Sequence, residues 1–96
     1  NFHLEDLLLF TRVAELRTLS AAAREKDVPV SHVTRSLARL EAACGVRLVH
    51  RTTHGLSLTD EGDTFLSYGK RLLETTNELS SELTGKIEEH TSELQS

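Results

Sequence analysis

From Thr59 onward the chain keeps helical spacing, with no proline and no turn signal, to roughly residue 89, and this run constrains everything else. Thr59 is a good N-cap residue, and Asp60 and Glu61 in the turn that follows complement the positive end of a helix. About thirty residues at 1.5 Å each make a rod of ~45 Å. Residues 1–59 can build only a globule much narrower than that. Phe65, Leu66, Leu72, Leu73, Leu79, Leu83 and Ile87 line one stripe of the rod, with Gly69 and Thr76 inside it. The globule cannot cover that stripe along its whole length, so a second copy of the same helix is the economical partner. The expected organisation is a globular domain over residues 1–59 and a pairing helix with a C-terminal tail over residues 60–96.

The globule also reads as helical. Leu4, Leu7, Leu8, Val13 and Leu16, with Phe10 and Ala14 nearby, predict a first helix over residues 4–16, with Arg12, Glu15 and Arg17 on its wet side. Thr18 caps a second helix from Leu19 to about Lys26, where Ala21, Ala22 and Ala23 let another helix approach closely. Pro29 fits only at the entry of a third helix, which shows an apolar stripe of Val33, Leu37, Leu40 and Ala43 and ends at Gly45. Two short β-leaning segments, residues 47–50 and 56–58, then flank Thr52-Thr53-His54-Gly55, a hairpin turn that forms a wing.

Composition narrows the function. A chain of 96 residues with 38% hydrophobic side chains supports one small core, too little for a deep catalytic pocket. No apolar run approaches a membrane span, and the start of the chain lacks the order of a signal peptide, so a cytoplasmic protein is expected. Cys44, the single cysteine, cannot form an internal disulfide and reads as a small apolar residue. His32, His50, His54 and Cys44 match no zinc spacing, and no Ser, His and Asp set places a nucleophile beside a base. No metal, cofactor or enzymatic activity is expected.

The net charge of −4 disguises an asymmetry. Residues 1–59 carry 8 Lys+Arg against 6 Asp+Glu, whereas residues 60–96 carry 3 against 9. Within residues 30–59, Arg35, Arg39, Arg47 and Arg51 face only Glu41. That segment can present a positive surface, although charges of this kind also serve simply as a solvated face.

Two helices joined by a short turn, the second bearing Ser, Thr, His and Arg on its leading face, form a helix-turn-helix, though ordinary helical hairpins share the pattern. A longer motif is more specific. Leu40-Glu41, Gly45-Val46, Leu48, Arg51-Thr52, Gly55, Leu58-Thr59 and Gly62 resemble the signature of LysR-type transcriptional regulators, and Ala22-Ala23, Val33 and Leu37 fall in that register. The resemblance covers residues 4–62 by motif. It implies a mainly α, winged helix-turn-helix domain of three helices and a two-stranded wing, followed by a dimerisation linker helix. It also implies a C-terminal effector-sensing domain outside this chain, through which a small molecule would act and which would permit tetramers in the full-length protein.

What the resemblance implies for partners is double-stranded DNA carrying an inverted repeat, bound by a homodimer with the recognition helix in the major groove and the wing on the minor groove or backbone. The expected DNA contacts are Val30, Ser31, His32, Thr34, Arg35 and Arg39 on the third helix, and Arg51, Thr52, Thr53 and His54 on the wing. Arg35 can pair with guanine O6 and N7, or instead hold a phosphate. Arg51 can touch the backbone or pin the wing to the core. The expected dimer contacts are Phe65, Gly69, Leu72, Thr76, Leu79, Leu83 and Ile87. There are departures from the family pattern: Val30 stands where a glutamine usually reads a base, Thr34 where serine is usual, Lys26 at a commonly apolar position and His54 at an often basic wing tip. The competing class is a protein-interaction module whose long helix binds another protein.

Overall fold

A computed structural model describes the backbone of residues 1–53 and 55–95 and the side chains of residues 1–53 and 55–85. The elements run α1 (Leu4–Leu16), α2 (Leu19–Lys26), α3 (Val30–Cys44), β1 (Val49–Thr52), β2 (Gly55–Leu58) and α4 (Asp60–Gln95).

Each boundary has a local cause. Thr18 Oγ1 accepts the Ala21 N–H at 3.0 Å and starts α2. Pro29, at φ −65°, precedes α3, where its missing N–H costs nothing. Gly45 ends α3 at φ 71°, its N–H donating to Glu41 O at 2.8 Å. Thr59 accepts the Gly62 N–H on Oγ1 at 2.9 Å and so caps α4, while its own hydroxyl donates to Arg47 O at 2.6 Å.

Two clusters share α1 as their centre. Leu7, Phe10, Leu37, Leu40, Leu48 and Val49 form one, and Leu9, Val13, Ala22, Ala23 and Val33 the other. Because α2, α3 and α4 all pack on α1, it is buried over a wider arc than an ordinary amphipathic helix. This corrects the sequence reading of that helix: Leu9 and Thr11 are buried, Leu8 is only half-buried and Leu4 is exposed. In α3 the stripe closes on Cys44, half-buried against the core, and Ala43 is exposed. At 100° per residue, position 44 lies nearer the line through Val33, Leu37 and Leu40 than position 43 does.

The wing is an antiparallel pair with Val49 opposite Leu58 and Thr52 opposite Gly55. Its first strand begins two residues later than the sequence suggested, because Glu41 takes the segment before it. The Glu41 carboxylate accepts the Leu48 N–H at 2.7 Å and the Val49 N–H at 3.4 Å.

Helix α4 has 36 residues, running past the predicted end near residue 89. Its first turns belong to the globule. Gly62 lies against the Leu48 carbonyl and Gly69 against Thr11, so close that a Cβ at either would collide. Phe65 and Leu66 pack on the first cluster. The expectation that the stripe from Phe65 lacks a partner in its own chain is therefore corrected for Phe65, Leu66 and Gly69. The exposed stripe runs through Tyr68, Leu72, Leu79 and Leu83.

Candidate nucleic-acid interface

The first turns of α3 stand clear of the core because Val33, Ser36, Leu37 and Leu40 turn the opposite side inward. Val30, Ser31, His32 and Arg35 are exposed, and Thr34 is half-buried with its hydroxyl donating back to Val30 O at 3.2 Å. Val30 is 42% exposed, an apolar side chain offered to solvent where the helix begins.

Arg39 is held differently. Its Nε donates to Asp6 Oδ2 and its Nη2 to Asp6 Oδ1, both at 2.9 Å, and Ser36 Oγ donates to the same carboxylate at 2.6 Å. Asp6 is buried, yet these bonds satisfy it. The Arg39 guanidinium, the largest influence, holds its carboxyl below the ordinary value despite the opposing effect of burial. Arg39 is thus a tether between α1 and α3, although more than half of its side chain stays exposed. Sequence reasoning missed Asp6 and Ser36, because thirty or more residues separate each partner from the other element and no motif links them.

On the wing, Arg51, Thr52 and Thr53 are exposed, and Thr52 Oγ1 donates to Gly55 O at 3.1 Å, which squares off the hairpin end. Gly55 adopts φ 115°, a conformation open to glycine and strained for other residues. His54, expected at the wing tip, lies outside the described residues. Arg47 sits 3.6 Å from Glu41. Of the four arginines in residues 30–59, two are therefore ion-paired, and among the described residues Arg35 and Arg51 form no ion pair.

Of the residues expected at a dimer surface, Leu72, Leu79 and Leu83 are 38%, 56% and 52% exposed. Thr76 is also exposed, its hydroxyl satisfied by Leu72 O at 2.8 Å. Phe65 is turned toward the core, its ring 6.1 Å from that of Phe2. Gly69 is filled by Thr11, so the expectation that it lets two linker helices approach is corrected. The Ile87 side chain lies outside the described residues. Among the described residues no helix is long and apolar enough to cross a membrane.

A helix-turn-helix held on α1, with a recognition helix free on one side and a two-stranded wing beside it, defines a winged helix-turn-helix protein. The model of the lysR family of bacterial regulatory helix-turn-helix proteins matches residues 4–63. The chain is 41% identical over 83 residues to the probable HTH-type transcriptional regulator SinR of Salmonella typhimurium, covering 86% of this chain and 26% of that protein. The CbnR DNA-binding domain in complex with DNA superposes with a TM-score of 0.74 at 31% identity, over 90% of this chain and 99% of that one. The BenM DNA-binding domain with catB site 1 DNA gives a TM-score of 0.79 at 27% identity, over 90% and 96%. The chain belongs to the LysR family of bacterial helix-turn-helix transcriptional regulators. It spans about a quarter of the length of the curated relatives it matches.

The family signature can now be read physically. Leu40 and Leu48 are core, Glu41 anchors the wing, Gly45 and Gly55 take left-handed backbone, Thr59 caps α4 and Gly62 admits the Leu48 carbonyl. Most of the motif specifies a scaffold.

Proposed function

We propose that this chain is the DNA-binding part of a cytoplasmic transcriptional regulator that grips an inverted repeat in double-stranded DNA as a homodimer. The observation that carries the reading is the pair of arginines without an ion pair among the described residues, Arg35 on α3 and Arg51 on β1, fixed to one core in a winged helix-turn-helix. Ser31, Thr34 and Arg35 would face base edges in the major groove, with Val30 offering apolar contact to a thymine methyl. His32 would lie on the flank of that helix. Arg51, Thr52, Thr53 and His54 would meet the minor groove or its phosphates. Arg39, tethered through two of its nitrogens, would offer its remaining N–H groups to the backbone.

Helix α4 supports the dimer. At 100° per residue, Tyr68, Leu72, Leu79 and Leu83 form a stripe about 100° around the helix from the side on which Gly62, Leu66, Gly69 and Leu73 face the globule. The helix can hence serve its own globule and a second copy at once, with Leu72, Thr76, Leu79, Leu83 and Ile87 against the partner's α4. Residues 1–59 are the reading unit and residues 60–96 the linker, although the first turns of α4 also close the core. A small-molecule effector and any tetramer would involve further parts of the full-length regulator.

Titration of duplex DNA tests the proposal. Each neutralised phosphate contributes about −0.9 to the slope of log affinity against log salt, so several contacts give a steep loss between 50 and 200 mM salt. Absence of salt-sensitive binding would leave only the protein-interaction reading.

A further inference from the structure

We propose that Arg17, which lies outside both the recognition helix and the wing, is a further contact to the DNA backbone and closes with Arg51 on one phosphate. The proposal rests on the duplex-binding reading above. A cleft separates the start of α2 from the wing, and Arg17, Thr18 and Leu19 line it from one direction while Arg51, Thr52 and Gly55 line it from the other. Both arginines are exposed. Neither forms an ion pair among the described residues. Asp63 lines the adjoining hollow with Arg17 but does not pair with it. Two guanidiniums that share a cleft repel one another, and an anion between them removes that cost. Phosphate suits the arrangement, because each planar fork can donate two hydrogen bonds to its oxygens.

The backbone supplies an independent observation. Arg17 ends α1 at φ 68° and ψ 4°, its N–H donating to Val13 O at 2.7 Å. Left-handed backbone is open to glycine, and Asn and Asp tolerate it better than other residues do. The other helix ends of this kind follow that rule, with Asp27 at φ 57° after α2 and Gly45 at φ 71° after α3. Arg17 breaks it. An unfavourable side chain held where glycine fits is the kind of outlier that marks a function, and here the side chain belongs to the cleft beside the wing.

Arg17→Gly separates the fold from the contact, since it relieves the backbone while removing the charge. Wild type, Arg17→Gly and Arg17→Lys would be titrated with an inverted-repeat duplex selected from a random pool and with a scrambled duplex of equal length, at several salt concentrations, alongside thermal melting. The expected result is an Arg17→Gly protein that melts as high as wild type or higher. It binds both duplexes roughly 3- to 10-fold more weakly at each half-site, with the ratio between them unchanged. The magnitude of its salt slope should fall, by less than the ~0.9 per half-site that a fully bared phosphate would give because Arg51 still faces that phosphate, and Arg17→Lys should restore it. Unchanged affinity and slope in Arg17→Gly would overturn the proposal while leaving the regulator reading in place. Failure of wild type to bind either duplex would overturn both.

Discussion

Asp6 on α1 and Arg39 on α3 are joined by two parallel hydrogen bonds of 2.9 Å, and the carboxylate that receives them is buried. Asp6→Asn removes the charge from both bonds and weakens the Ser36 contact, so unfolding in urea should show a loss of about 1–3 kcal/mol near neutral pH. Arg39 holds the Asp6 carboxyl below the ordinary 3.8, so its contribution is present above that value and is lost as pH falls through the folded-state value. The stability gap between wild type and Asp6→Asn should therefore shrink below pH 3.8. A gap that stays constant down to strong acid would show that ionisation of Asp6 contributes nothing.

The seat of α4 on α1 is a second target. A Cβ on Gly69 would run into Thr11 Oγ1, and overpacking of this kind costs roughly 1–3 kcal/mol, more than the ~1 kcal/mol that alanine gains over glycine in a helix. Gly69→Ala should thus lower the melting temperature. Thr11→Ala removes the obstructing oxygen, so the double variant should recover part of the loss. Strict additivity of the two changes would contradict this packing.

Much of this architecture was legible in the sequence, because residues 1–59 obey short-range rules. Thr18, Pro29, Gly45 and Thr59 mark boundaries through their own chemistry, and three helices fell where spacing put them. What escaped depends on contacts across the fold. Gly69 looked like a place for a partner helix because a glycine does not reveal which backbone approaches it, and Thr11 lies 58 residues earlier. The positive segment of four arginines was legible, but its reduction to Arg35 and Arg51 needed the pairing of Arg47 with Glu41 and of Arg39 with Asp6, which lies on another helix. The strain at Arg17 was invisible, since nothing in its neighbourhood demands left-handed backbone until α1 and α2 are placed.

In the proposed complex, base reading would concentrate on Arg35. Arg35→Ala should relax preference at one symmetric pair of positions and weaken binding by about 1–3 kcal/mol per half-site, as expected for loss of a paired guanine contact. Competition between single-base operator variants would measure it. A uniform loss across all variants would reassign Arg35 to a phosphate.

The proposed dimer would depend on the outward stripe of α4. Leu72→Asp with Leu79→Asp should give a monomer by light scattering that keeps the helical circular dichroism of the wild type, because neither side chain belongs to the buried core. The monomer should bind an inverted repeat far more weakly than the dimer does, having lost the linkage between half-sites. A double variant that remains dimeric would place the interface elsewhere.

In the proposed complex, this winged domain reads duplex DNA as a symmetric pair through α3 and the wing. Selection of bound duplexes from a random pool tests it most directly, with the 96-residue chain as the binder. The expected outcome is enrichment of an inverted repeat whose half-site centres lie one helical turn, about 34 Å, or a small multiple of it apart. A pool that shows no enrichment, or one that converges on a single unrepeated site, would contradict it.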